Sequence, residues 1–280
     1  MARVFESVAV LGPGLLGGSV GLAIQARSSG AVRFWGRSEE KLAVVRNAGF
    51  FASADLAEVV NGVDLVVLAT PVDFYAGLAE QLVAIGGDFV VTDVGSVKGA
   101  VQSGAGEIFA KGGIEFIGSH PMAGSEQCGF EVARADLFNG ASCFVCESKS
   151  STAEGVASVL SFWEGLGCAV TESSATVHDE IVARISHLPH VLAAVGAKVS
   201  LREEAERPLG GGGLRDTTRV AGGDAAMWTG ILLENRQAVL AEMTRAKAEL
   251  DELSALLEQA DSEAIFSWLQ EAKTSRDNLK

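Results

Sequence analysis

The chain has 280 residues, 48% apolar and 21% charged, which fits one large or two ordinary globular domains and excludes a disordered segment. Its 22 basic and 36 acidic residues give a formal charge of −14, a balance that repels phosphate backbones and excludes nucleic acid as an expected partner. No apolar run is long enough to span a bilayer and no basic-plus-apolar leader precedes the first strand, so the expectation is a cytoplasmic protein with no membrane partner.

From the N-terminus, Ser7-Val-Ala-Val-Leu-Gly12 reads as an apolar strand ending in glycine, followed by a helix from Leu15 to Arg27. Val32-Arg-Phe-Trp35 is a second strand, Glu39 to Ala48 a helix, and Asp64-Leu-Val-Val-Leu-Ala69 a third strand. A helix near Tyr75 to Ile85, the strand Phe89-Val-Val-Thr92, a helix around Gly99 to Ala110 and the strand Ile114-Glu-Phe-Ile117 continue the alternation. Two further strands, Cys143 to Cys146 and Cys168 to Thr171, flank a helix from Thr152 to Leu166. Strands alternating with helices predict βαβ units and a mainly parallel sheet. Cys143 and Cys146 form a C-x-x-C, but no second pair or histidine completes a zinc site, so they read as core cysteines in a reduced protein and no metal is expected.

After about Ser173 strand-like runs stop, which divides the chain into residues 1–172 and 173–280. Leu232, Val239, Ala246 and Leu253 recur every seven residues, interleaved with Met243, Leu250 and Leu257. A continuous helix from Ala225 to Gln259 would span about 50 Å. Such a seam predicts packing against another helix and therefore a dimerisation domain, the alternative being packing within one chain. Asp261-Ser-Glu263 reads as a cap opening a last amphipathic helix through Ile265, Trp268 and Leu269.

Gly12-Pro-Gly14-Leu15-Leu16-Gly17 is G-x-G-x-x-G after a strand and opening a helix, the context that makes it a dinucleotide site. Gly12 permits the turn, Gly14 lets the backbone approach the diphosphate, and Gly17 lets helix and strand pack, with the diphosphate at the helix N-terminus. The fold class is therefore α/β: an N-terminal Rossmann-type doubly wound, mainly parallel sheet plus a C-terminal all-α dimerisation domain. The second strand ends in Arg37 and Ser38 where an acid would bind the ribose hydroxyls of NAD, so NADP is favoured. Alternatively Arg37 stacks on adenine and NAD binds through backbone contacts. Thr70-Pro71 and Asp93-Val-Gly-Ser96-Val-Lys98 fall at the carboxyl edge of the sheet, where ligands bind, with Ser96 and Lys98 both in reach of nicotinamide and substrate; the alternatives are turn formation for Ser96 and a solvated charge for Lys98.

Gly118-Ser-His120-Pro-Met-Ala-Gly-Ser125-Glu126 puts a histidine on a glycine- and proline-punctuated loop, where a proton acceptor for hydride transfer belongs. Together with the fingerprint, the Asp93–Lys98 run, His178-Asp179 with Ser186-His187-Leu-Pro-His190, and Gly213-Leu-Arg-Asp-Thr-Thr-Arg219-Val-Ala, this order of motifs resembles the prephenate/arogenate dehydrogenase family of tyrosine biosynthesis over nearly the whole chain. The resemblance implies oxidative decarboxylation of a cyclohexadienol, with His120 as the catalytic base and Ser96 orienting it and the substrate hydroxyl. It implies that Arg219 clamps a substrate carboxylate and that Ser125 and Glu126 line the pocket; without it, Arg219 would read as a surface ion pair with Asp216 or Asp224. It moves His187 and His190 towards substrate-binding roles, which isolated histidines on an apolar helix seldom have. His178-Asp179 remains readable as a structural pair, and Gly210 to Gly213 as either a gate or a connector. Prephenate is favoured over arogenate, whose amine would need a carboxylate such as Glu126 or Asp179. A dehydrogenase of the 3-hydroxyacid type, with a lysine base, and a non-catalytic NAD(P) sensor are the other readings.

Overall fold

The computed structural model describes residues 3–28, 30–124 and 127–279. Two compact units divide it at Asn235 and Arg236. In the first, β1 (Ser7–Leu11), α1 (Leu15–Arg27), β2 (Ala31–Trp35) and α2 (Glu39–Asn47) follow the expected order. β3 (Phe51–Ser53) and α3 (Leu56–Val60) come next, so the strand expected third is in fact β4 (Leu65–Leu68). After it come α4 (Tyr75–Ile85), β5 (Val90–Asp93), α5 (Gly99–Val101), α6 (Glu107–Gly112), β6 (Glu115–Pro121), β7 (Ser142–Cys146), α7 (Ala153–Gly165) and β8 (Ala169–Ser173). Only helices follow: α8 (Ala175–Val182), α9 (Leu188–Ser200), α10 (Gly212–Thr218) and α11 (Ala225–Glu234), and in the second unit α12 (Arg236–Glu258) and α13 (Ser262–Asp277).

The eight strands form one sheet in the order β3-β2-β1-β4-β5-β6-β7-β8, parallel throughout except between β6 and β7. Winding reverses between β1 and β4, which opens a crevice at the carboxyl ends of those two strands. Successive residues of β1 feed opposite cores. Val8 and Val10 pack with Phe34, Phe130 and Trp163, while Ala9 and Leu11 pack with Leu68, Tyr75 and Phe116. Burial on both faces explains the unbroken apolar runs of β1 and β4.

Three expectations change. His120 lies on β6 rather than on a loop, because antiparallel pairing with β7 carries the strand on to Pro121, opposite Cys143. The long helix from Ala225 to Gln259 is broken at Asn235, whose non-helical backbone (φ −102°, ψ 25°) closes α11. The four glycines are not one loop, since Gly212 and Gly213 open α10. The cap at Asp261 forms, its side chain accepting from Ala264 N. α12 and α13 pack on each other, joined by Trp268 Nε1 donating to Glu249 at 3.1 Å. Cys143 and Cys146 are buried on β7, and among the described residues no group of three or more histidine, cysteine or acidic side chains could hold a metal. No helix among the described residues is long and apolar enough to cross a membrane.

Candidate active site

The crevice between β1 and β4 begins at Gly12, whose φ of +113° and 2.6 Å approach of a virtual Cβ to Ala69 O leave room for glycine alone. A Cβ on Gly17 would stand 2.1 Å from Gly12 O, so helix and turn meet there without side chains. Around Gly14 the opposite holds: a Cβ would meet nothing within 4 Å, and the backbone faces open space. Gly14 caps α1 without a side-chain hydrogen bond, and the first turn, with Leu15 and Leu16, carries no acid. Uncapped N–H groups at a helix start form an anion cradle. At the end of β4, the Thr70 hydroxyl is buried without a hydrogen-bond partner among the described residues, next to Pro71. An orphaned hydroxyl beside an open backbone cradle fits a bound dinucleotide. At the end of β2 the exposed Arg37 holds its guanidinium 4.2 Å from the Phe74 ring centroid. The Ser38 hydroxyl accepts from Lys41 N at 3.4 Å, capping α2.

The loop after β5 is held by a buried charge pair. Lys98 and Asp93 are 0% exposed and ion-paired, so Lys98 is no solvated charge. Asp93 also accepts from Gly95 N at 2.8 Å and Ser119 N at 2.9 Å. Ser119 donates its hydroxyl to the main-chain oxygen of Asp93, which leaves its oxygen to accept from Trp163 Nε1 and Thr92, each at 2.8 Å. The residue preceding His120 is thus fixed on β6 from two sides.

His120 is buried, with Nδ1 2.9 Å from Nε2 of His178. His178 Nδ1 lies 2.8 Å from Asp179 Oδ1, and the Asp179 carboxylate also accepts from Lys98 N and Gly99 N, each at 2.8 Å. These partners fix the protons. An ionised carboxylate only accepts, and Asp179 is held below the usual carboxylate range because these hydrogen bonds outweigh its burial. Nδ1 of His178 therefore carries a hydrogen, its Nε2 offers a lone pair, and His120 donates from Nδ1. The lone pair of His120 is left on Nε2. Burial, then the neighbouring His178, Lys98 and His187, push the His120 pKa well below the ordinary histidine value, which keeps the ring neutral.

Of the expected site residues, His187 and His190 join this cluster, both buried at the start of α9. A π turn over Ala183–His187 precedes Pro189, where a missing N–H and a bulky ring disfavour regular helix. The His190 ring stacks on the Trp228 indole, with centroids 3.5 Å apart and planes at 10°. His190 also lies against the main chain of Val220, beside the exposed Arg219. No ion pair of Arg219 with Asp216 or Asp224 is seen. Ser96 is half-buried on the β5–α5 loop, and the orienting bond recorded for His120 comes from His178 rather than Ser96. Ser125 and Glu126 lie outside the described residues. Asp179 already accepts three hydrogen bonds, from two amides and His178. Sequence reasoning missed the relay through His178, the Lys98–Asp93 pair, Trp228 and Asn235. His178-Asp179 stood in a quoted motif, but nothing in the spacing shows that residues 58 apart meet.

Comparison with known proteins bears on the family and the fold. A family model described as prephenate dehydrogenase, nucleotide-binding domain, matches residues 21–172, and one described as prephenate dehydrogenase, dimerization domain, matches residues 174–271. The chain is 31% identical over 291 residues to a prephenate dehydrogenase of Bacillus subtilis, an alignment covering 100% of this chain and 77% of that protein. It is 30% identical over 286 residues to a cyclohexadienyl dehydrogenase of Zymomonas mobilis, covering 99% and 97%. Among solved structures, prephenate dehydrogenase from A. aeolicus in complex with hydroxyphenyl propionate and NAD+ superposes with a TM-score of 0.92 at 28% identity, covering 100% of both chains. Synechocystis arogenate dehydrogenase gives 0.85 at 26%, covering 98% and 100%.

Proposed function

We propose that this chain, which belongs to the prephenate dehydrogenase family, catalyses the oxidative decarboxylation of prephenate to 4-hydroxyphenylpyruvate with NAD(P)+. The observation that carries the reading is the Asp179–His178–His120 relay, which presents a neutral imidazole with its lone pair on Nε2. That is the form a general base needs to take a hydroxyl proton. His120 removes the proton from the ring hydroxyl and the C–H bond at the same carbon breaks with its electron pair; the ring carboxylate then leaves as CO₂, its bonding pair makes the ring aromatic, and the resulting phenolate oxygen takes the proton back from His120. When bound, NAD(P)+ supplies the hydride acceptor. Ser96 sits beside the substrate hydroxyl, Arg219 pairs with a substrate carboxylate through its planar fork, and His187, His190, Ser125 and Glu126 line the pocket. Gly12, Gly14, Leu15, Leu16 and Gly17 hold the diphosphate, with Thr70 and Pro71 bordering the nicotinamide half.

Prephenate is favoured because its side chain carries a keto group, whereas the amine of arogenate needs a free carboxylate and Asp179 is already committed. Arogenate is the second reading, supported by the relatives named cyclohexadienyl and arogenate dehydrogenase, with Glu126 as the acid it would need. NADP+ is favoured by the exposed Arg37, although the A. aeolicus relative was crystallised with NAD+. We place the domain boundary at residues 172–173 and a homodimer contact on the C-terminal helices, where Leu240, Leu250, Leu257, Phe266 and Leu269 are exposed. The four cysteines are free, in keeping with a cytoplasmic location.

Steady-state kinetics with prephenate and arogenate, each with NAD+ and NADP+, test the substrate and cofactor. Turnover of neither substrate refutes the reaction, and a lower KM for NAD+ than for NADP+ refutes the cofactor preference. His120→Ala should retain cofactor binding and lose kcat; a fully active variant removes the base.

A further inference from the structure

His187 Nε2 is buried without a hydrogen-bond partner among the described residues, while its other ring nitrogen is engaged. Asn235, 4% exposed where α11 ends, places Nδ2 2.8 Å from the main-chain oxygen of Asp179 and 3.2 Å from Nδ1 of His187. A carbonyl oxygen can only accept. The atom facing Asp179 O must therefore be the amide nitrogen, and the chemistry itself fixes the orientation of Asn235. The second hydrogen of that nitrogen then meets His187 Nδ1, which has to present a lone pair. Burial holds His187 at about 4, so its ring is neutral near pH 7 and carries a single proton.

We infer that Asn235 is a positioning residue that locks His187 in the Nε2–H tautomer, so that a buried N–H donor meets an oxygen acceptor of the substrate, a carbonyl or a carboxylate. This rests on the reading that His187 lines the substrate pocket. His187 is 1% exposed and lies within electrostatic reach of His120, His178 and His190, and its ring centroid is 6.1 Å from that of Trp228. A buried donor without an internal partner loses a hydrogen bond to water on folding, and a ligand acceptor restores it. Asn235 therefore reaches the substrate only through His187, and its replacement should act on binding more than on chemistry.

The tautomer is read directly from ring ¹⁵N shifts and long-range proton–nitrogen couplings of histidine-labelled protein without substrate, with His187→Gln assigning the signal. His187 should hold its proton on Nε2 between about pH 6 and 8, and a proton on Nδ1 overturns the inference. Asn235→Asp then replaces the donor by an acceptor at nearly equal volume. It should move the His187 proton to Nδ1 and raise KM for prephenate roughly 10- to 100-fold, with kcat changed by less than about threefold. A folded Asn235→Asp protein with unchanged tautomer and KM overturns it as well. If that variant fails to fold, the wild-type spectrum decides alone. Failure of the substrate reading looks different, as a wild-type enzyme that turns over neither prephenate nor arogenate while the tautomer signal stands.

Discussion

Replacing Lys98 by methionine tests whether the buried charge pair, rather than apolar packing alone, holds the active-site loop. Both partners are 0% exposed, and Asp93 keeps only the Gly95 and Ser119 amides once the ammonium is gone. Removing one member of a buried pair strands the other charge and costs about 3–5 kcal/mol, a large part of the 5–15 kcal/mol typical of a domain. The urea midpoint of Lys98→Met should fall accordingly at unchanged slope. Asp93→Asn/Lys98→Met, which removes both charges, should recover much of the loss. Activity gives an independent reading in the folded fraction. The Lys98 cation is one of the groups that depress the His120 pKa, after burial and His178. Its loss makes protonation easier, so the acid limb of kcat/KM should move to higher pH. A stability loss below about 1 kcal/mol with an unmoved acid limb would refute the reasoning, because it would mean that the pair is solvated and electrostatically remote from His120.

Two further outcomes follow from the same network. His178→Phe keeps a ring of similar size but removes the acceptor of His120 Nδ1–H, so kcat should fall at least about tenfold with the cofactor Kd unchanged; equal losses in both would point to general misfolding. Glu234 on α11 is pushed up to about 7 by burial and by the neighbouring Asp73, against an ordinary 4.5. A raised folded pKa gives stability that is complete below the unfolded value and is lost as pH rises through the folded one. Wild type should therefore lose thermal stability between about pH 4.5 and 7 relative to Glu234→Gln, and parallel melting curves for the two proteins would contradict that.

Much of the fold was legible because local pattern and tertiary packing agree. Strands β1 and β4 are apolar on both faces, β2 is largely apolar, and all three stand at the spacing of βαβ units, with the fingerprint marking the first crossover. β3 and α3 were missed because three and five residues are too short for any periodicity to register. The break at Asn235 was hidden because the seven-residue repeat of Leu232 and Val239 passes across it undisturbed; side-chain spacing carries no record of one non-helical backbone. His120 was expected on a loop because Gly118 and Pro121 are turn residues. The contact that makes it a strand is with Cys143 to Cys146, more than twenty positions away. Lys98 failed as a solvated charge for the same reason: its partner Asp93 is near in sequence, but the burial of both comes from the packed strand edge. The motif histidines were legible as types and not as partners, since hydrogen-bond direction depends on which rings meet.

The relay and the charge balance of the chain solve opposite problems. A protein with a net charge of −14 attracts a dicarboxylate poorly, and a protonated His120 would help to draw one in. That same protonation would leave no lone pair to take the hydroxyl proton. Burial decides the conflict in favour of the base, keeping His120 and His187 neutral, while Asp179 accepts from His178 and two amides. On the proposed reading, anion binding then falls to groups outside the relay, the guanidinium of Arg219 and the neutral N–H of His187.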